Sequence, residues 1–235
     1  MDVHQRGKQL AARPLIVFDV NETLLDLEAL TPIFERILGD RWAMRLWFMQ
    51  LITYSQALTL ADIYVPFTDI GAAILAMLAQ ARGMKISEAD RRELTDRFAT
   101  MPPHAEVPGA LRRLKSEGFR LFTLTNNTAA ISRRQLAHAQ ILDVFEQCFS
   151  VEESHCYKPA PEVYAVVTAA LKVPAITLYM VACHTWDTIG AMSAGWNAAL
   201  IKRSGNDVID ALPEPEITGC DLNEVVDRLI ATYKR

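Results

Sequence analysis

Apolar positions along this chain fall into two patterns. Four short runs, residues 15–20, 120–124, 176–181 and 197–201, are apolar at most positions. Runs of this length read as strands buried on both faces. Each gives way to polar chemistry: Asp19 with Asn21 and Thr23, then Thr125-Asn126-Asn127-Thr128, then His184-Thr185-Trp186-Asp187, then Lys202-Arg203. A shorter strand is expected near Gln147–Ser150, ahead of Tyr157-Lys158-Pro159. Helical periodicity separates the runs, and this alternation predicts a parallel sheet with right-handed crossovers.

Residues 26–103 carry the second pattern, helical throughout, with a start at Ser87-Glu88-Ala89-Asp90 and an exit at Met101-Pro102-Pro103. A helical insertion after the first strand makes a natural lid. The predicted division is a core domain over 1–25 and 104–235 and a cap domain over 26–103. Residues 46–61 hold no charge, yet the stretch is too short for a bilayer span. Trp47, Leu51, Tyr54 and Leu58 fall on one helical face, which predicts a cap helix packing on the core or on a partner subunit. A homodimer is therefore expected. A loop at Leu212-Pro213-Glu214-Pro215 precedes a closing helix near Leu222–Tyr233.

Composition changes this picture little. Apolar residues make up 51% and charged residues 22% of 235, ordinary for a globular protein. A net charge of −4 gives no reason to expect nucleic acid or an acidic membrane as partner. Cys148, Cys156, Cys183 and Cys220 show no metal-ligand spacing, so reduced thiols in the cytoplasm are expected. Residues 1–13 are polar without an apolar h-region, and no secretory signal is expected. His4, His104, His138 and His155 belong to no constellation and are expected at the surface, and Glu152-Glu153 is expected to cap a turn.

Asp19 closes the first run, and open α/β sheets place their chemistry beyond the carboxyl ends of the strands. It is a candidate nucleophile. Asp19 with Thr23, Thr125-Asn126, Lys158-Pro159 and Trp186-Asp187 follow one another at predicted strand ends. Together they resemble the four sequence motifs of the haloacid dehalogenase-like hydrolase superfamily. Within it the chain most resembles the (S)-2-haloacid dehalogenases, on the single-Asp first motif, the spacing of Lys158-Pro159 to Tyr164, and Trp186-Asp187.

The resemblance implies an α/β fold: a Rossmann-like parallel sheet core with helices on both faces and an inserted helical cap. It implies metal-independent hydrolysis of short 2-haloalkanoic acids to 2-hydroxy acids through an ester on Asp19. Lys158 would keep Asp19 ionised, and Asp187 would orient Lys158 and activate the hydrolytic water. Thr23 would fix the first loop. Thr125 and the amides of Val20, Asn21 and Asn126 would bind the substrate carboxylate, with Tyr164, Trp186 and Phe48 in the walls. The superfamily's phosphatases hold Mg²⁺ through several oxygens. Here Asn21 replaces the second acid and Ala182-Cys183 stands where a Gly-Asp pair would carry a ligand. Neither metal nor cofactor is expected.

Three positions depart from the dehalogenase pattern. Phe48 stands where an arginine usually receives the halide, and Arg45, nearly one turn away, is one candidate to take its place. His184 replaces an asparagine, and Asn21-Glu22 replaces a Tyr-Gly pair. His184 is expected to take over leaving-group stabilisation. Related hydrolases open the ring of azetidine-2-carboxylate, so an amine is an alternative leaving group. A phosphatase with altered ligands and a non-enzymatic relative are the competing classes; the intact Asp19, Lys158 and Asp187 argue against the last.

Overall fold

The structure, a computed structural model, describes residues 13–233. The expectations for residues 1–12, His4 among them, lie outside the described residues. Six parallel strands form one sheet in the order β3-β2-β1-β4-β5-β6, with β1 Leu15–Phe18, β2 Arg120–Thr125, β3 Gln147–Ser150, β4 Leu178–Ala182, β5 Asn197–Ile201 and β6 Ile217–Gly219. All four residues of β1 are buried, as a continuous apolar strand at the centre of a doubly covered sheet must be. Phe18 stands level with Thr123 on one side and Val181 on the other. That register brings the loops after β1, β2 and β4 to one edge. Chain order reverses between β1 and β4, the topological switch where such sheets open a crevice.

Two strand expectations need correction. The run at 176–181 becomes a strand only from Leu178, because residues 175–177 form a 3₁₀ turn after Pro174 and Ile176 is exposed. The short strand β6 has no apolar run to announce it; it pairs with β5 through Ala199 and Ile217.

Five helices separate β1 from β2, and the first four are α1 Thr31–Leu38, α2 Ala43–Leu60, α3 Phe67–Ala81 and α4 Glu88–Phe98. The chain leaves and re-enters the sheet side by side, since Asp26 N donates to Pro102 O at 2.8 Å and His104 N to Leu24 O at 3.0 Å. The predicted start of α4 is a reciprocal cap, with Ser87 Oγ accepting from Asp90 N and Ser87 N donating to the Asp90 carboxylate. The long helix α2 has two faces. Ala43, Met44, Trp47, Phe48, Leu51, Ile52 and Ser55 are buried, whereas Leu46, Met49, Tyr54 and Leu60 are exposed. Tyr54 thus departs from the face predicted for it with Trp47 and Leu51. Trp47 Nε1 donates to Gly71 O at 2.8 Å, and a Cβ at Gly71 would stand 3.0 Å from the Trp47 ring, so a larger residue there would press on the α2–α3 contact.

The remaining helices are α5 Val107–Ser116, α6 Ala129–His138, α7 Pro161–Leu171, α8 Thr185–Ser193 and α9 Leu222–Tyr233. One continuous apolar core joins the sheet to the inserted helices. No helix among the described residues is long and apolar enough to cross a membrane. Glu152 caps the start of a helix rather than its own turn, accepting from the amide of Ala129 in α6, while Ser150 caps the turn at 151–153.

Candidate active site

Asp19 sits one residue past β1, its amide bonded to Val181 O at 3.0 Å. Its Oδ1 accepts from Lys158 Nζ at 2.8 Å and its Oδ2 from Thr23 Oγ1 at 2.7 Å. Lys158 is wholly buried and spends all three of its protons: on Asp19, on Leu124 O at 3.0 Å and on Asp187 Oδ2 at 2.6 Å. Asn126 Oδ1 accepts from Lys158 N at 3.1 Å, tying the lysine's backbone to the loop after β2. Asp187 lies in the first turn of α8, where the helix N-terminus favours a carboxylate. Its Oδ1 accepts from Tyr164 Oη at 2.7 Å.

Burial pulls these groups in different directions. It would raise the Asp19 carboxyl, but the Lys158 ammonium, followed by His184, outweighs it and holds Asp19 well below the usual carboxylate range. Burial dominates at Asp187, reinforced by the nearby Asp19 charge, and leaves its carboxyl above the ordinary value. Lys158 is raised: burial opposes its charge, and Asp187 and Asp19 more than restore it. The pair divides into an ionised acid at the crevice and a more basic carboxylate behind the ammonium.

The opposite side of Asp19 is built by residues outside the motifs. His184 Nδ1 lies 3.4 Å from Asp19 Oδ2, and its Nε2 is 2.8 Å from Glu22 Oε2. Burial opposes an imidazolium, but the Cys183 sulfur and the Asp19 and Glu22 carboxylates favour it more, and the ring is raised well above its ordinary value. Arg45 Nη1 pairs with Glu22 Oε1, while its Nε and Nη2 reach Glu28 Oε1 at 2.9 and 2.6 Å. Four carboxylates, Asp19, Glu22, Glu28 and Asp187, thus face Lys158, Arg45 and the His184 ring. Trp186 stacks on His184 with ring centroids 4.8 Å apart and Phe48 approaches it at 5.7 Å.

The side chains of other predicted residues make bonds within the protein. The Asn21 side chain turns inward, its Oδ1 accepting from Asn127 Nδ2 at 3.2 Å and Gln135 Nε2 at 3.0 Å. Thr125 Oγ1 accepts from Asn127 N at 3.2 Å, and Thr23 Oγ1 also accepts from Cys183 N at 3.0 Å. Thr23 therefore ties the loops after β1 and β4 together. Sequence reasoning missed four contributors. His104 is half-buried rather than at the surface, and its Nε2 donates to Glu22 O at 2.8 Å. Arg203, just past β5, donates to Thr23 O at 2.9 Å. Gln135 closes the Asn21 network. Gly190 on α8 leaves room for Tyr164, since a Cβ there would lie 2.6 Å from Pro159 Cβ and would overlap the tyrosine hydroxyl. Only Arg203 carries a signal in the chain, its place at a strand end.

Glu22, Cys183 and His184 bring three potential metal-ligating atoms within 4.8 Å of one another. Their geometry suits an ion pair better than a metal. Nε2 is already directed at Glu22, and Cys183 Sγ is nearly equidistant from both ring nitrogens, at 3.6 and 3.7 Å, so it lies along neither nitrogen's lone pair. A hard cation fares no better beside Asp19, where the Lys158 ammonium occupies the space between the two carboxylates.

Comparison with known proteins agrees with this architecture. The chain is 28% identical over 207 residues to an (S)-2-haloacid dehalogenase of Pseudomonas sp. (strain YL), covering 86% of this chain and 89% of that one. It is 27% identical over 219 residues to (S)-2-haloacid dehalogenase H-109 of Pseudomonas putida, covering 92% and 97%. The L-2-haloacid dehalogenase of Xanthobacter autotrophicus with chloropropionic acid covalently bound superposes with a TM-score of 0.86 at 20% identity, over 94% of this chain and 99% of that one. The family model for haloacid dehalogenase-like hydrolases matches residues 16–201, strands β1 to β5 with everything between them, and the chain belongs to that family.

Proposed function

We propose that the protein hydrolyses short 2-haloalkanoic acids to 2-hydroxy acids through an ester on Asp19. The observation that carries this is the Lys158 ammonium held between Asp19 and Asp187 at 2.8 and 2.6 Å, away from water. It keeps Asp19 ionised as a nucleophile, and it fills with a protein cation the place where a metal would otherwise balance the charge. The named relatives are (S)-2-haloacid dehalogenases, and one neighbour carries chloropropionic acid as a covalent adduct.

In the first step an Asp19 oxygen attacks the carbon bearing the halogen. The carbon–halogen electron pair leaves with the halide, and an ester remains. In the second, water adds to the Asp19 carbonyl carbon and the bond between that carbon and the ester oxygen breaks. The 2-hydroxy acid leaves, Asp19 returns as carboxylate, and one proton is released to solvent. Asp187 is the base for that water, supported by its raised carboxyl and the Tyr164 hydroxyl that aligns it. The amides of Val20, Asn21 and Asn126 bind the substrate carboxylate, with Thr125 and Asn126 shaping that loop through their own bonds. Phe48 and Trp186 wall the leaving-group side around His184, which stabilises the departing halide. A second reading, displacement of a ring amine as in azetidine-2-carboxylate opening, is favoured by one observation: His184 is placed to supply a proton.

Residues 26–103 act in this reading as a cap domain whose helix α2 closes the site through Phe48. The exposed row of Leu46, Met49, Tyr54 and Leu60 on α2, with Trp42 beside it at 72% exposure, supports a homodimer built on that face. Four unpaired thiols support a reducing compartment, the cytoplasm. Halide release from chloroacetate, bromoacetate and the two enantiomers of 2-chloropropionate, with and without EDTA, tests the assignment. Turnover of the (S) enantiomer unaffected by EDTA is expected; phosphate-ester hydrolysis abolished by EDTA would contradict it.

A further inference from the structure

Glu22 is the least expected residue of the site. It takes a left-handed backbone, φ 63°, a region that favours glycine, and it carries a carboxylate that is almost wholly buried. A side chain kept in such a conformation against its local preference points to a role for what it holds. Three groups fix it: Arg45 Nη1 on Oε1, His184 Nε2 on Oε2, and His104 Nε2 on its backbone oxygen.

We propose that Glu22, clamped by Arg45, is a positioning residue that keeps His184 a hydrogen-bond donor toward the leaving atom, fitting the site to leaving groups that are strong hydrogen-bond acceptors, fluoride foremost. The inference rests on the dehalogenase reading above. A carboxylate accepts only, so Nε2 must carry a proton to meet Glu22. Nδ1 carries the second proton, at 3.4 Å from Asp19 Oδ2, too long for a strong bond in the resting site. As the ester forms, negative charge passes from the Asp19 carboxylate to the departing halide, and the Nδ1–H hydrogen bond turns from Asp19 toward the halide, the proton staying on the ring. The groups that set the charge on this ring are Asp19 and Glu22 from the loop after β1, the Cys183 thiol beside it, Arg45 of α2 behind Glu22, and Lys158 behind Asp19. Trp186 and Phe48 flank the ring, so few competing donors reach it. Fluoride is the halide that accepts hydrogen bonds most strongly, so C–F cleavage leans on this donor more than C–Br cleavage does.

The test compares fluoroacetate with bromoacetate in wild type, Glu22→Gln and Glu22→Gly. Gln keeps size and loses charge; Gly suits the positive φ and keeps the fold accessible should Gln impair it. Both variants are expected to lose kcat on fluoroacetate about tenfold more than on bromoacetate, with KM little changed. The alkaline limb of the fluoride-release profile should move to lower pH, and ¹⁵N NMR should show the His184 imidazolium deprotonating at lower pH than in wild type. An unchanged fluoride-to-bromide ratio in both variants, or His184 titrating as in wild type, overturns the proposal. Failure of the underlying reading is separate: wild type releasing no halide from bromoacetate removes the dehalogenase assignment, while the NMR titration still decides whether Glu22 governs His184.

Discussion

The two sides of Asp19 are built on different principles. On the inner side, Lys158, Asp187 and Tyr164 form a closed chain in which every polar atom is satisfied and nothing faces solvent. On the outer side, His184 is held by Glu22 and Arg45 against Asp19 at a looser 3.4 Å, between aromatic rings from α2 and α8. The inner side sets the charge of the nucleophile. The outer side is where charge arrives when the halide departs, so its donor has to be free to change partners. Rigidity suits the first task and a long, unspent contact suits the second.

The comparison breaks most sharply at Asp19 itself. Asp19→Asn should lower halide release by about 10⁴-fold or more, because both sides then serve a side chain that cannot attack. The inner side should matter most for stability. Lys158→Met leaves Asp19 and Asp187 buried without their cation, and a loss of about 3–5 kcal/mol is expected in urea unfolding. Gly190→Ala should cost about 1–3 kcal/mol, since the added methyl meets Pro159 and forces Tyr164 off Asp187. Tyr164→Phe leaves Asp187 short of one donor; about 1–3 kcal/mol is expected, with ester hydrolysis slowed more than ester formation, visible as a burst of halide.

The outer side predicts a smaller, pH-dependent effect. His184 is raised in the folded chain, so its contribution to stability is full below its ordinary pKa of about 6.5 and is lost as pH rises through the folded value. Asp19 has the opposite sign: it is lowered, so its contribution is full above about 3.9 and fades as pH falls toward the folded value. Between the two, neither His184 nor Asp19 contributes a slope. Thermal melts of wild type and His184→Gln should converge at alkaline pH and diverge at neutral pH.

The same division explains what the chain revealed before its structure. β1, β2 and β5 were legible because apolar runs buried on both faces have few other fates, and the inner side was legible because Asp19, Lys158 and Asp187 follow strand ends in a fixed order. β6 was not, being three residues recruited by pairing with β5 rather than by its own pattern. The outer side was legible only in part: His184, Phe48 and Trp186 stood out in the chain, but the bonds that join His184 to Glu22 and Glu22 to Arg45 depend on backbone geometry. Glu22 reads as a change in the wall around Asp19 until its positive φ turns it toward His184, and Arg45 as a stand-in for the missing halide arginine until α2 lays it against Glu22 and Glu28. Asn21 was assigned to the substrate through its amide, and the bond of its side chain to Gln135, more than a hundred residues away in sequence, had no local signal to announce it.

The central claim is that Asp19 attacks carbon and is itself hydrolysed. A single turnover of excess enzyme on (S)-2-chloropropionate in ¹⁸O-water, followed by mass analysis of the peptide containing Asp19 and of the product, tests it most directly. The label is expected in Asp19, with unlabelled lactate. Label appearing in lactate and not in Asp19 would contradict the ester intermediate.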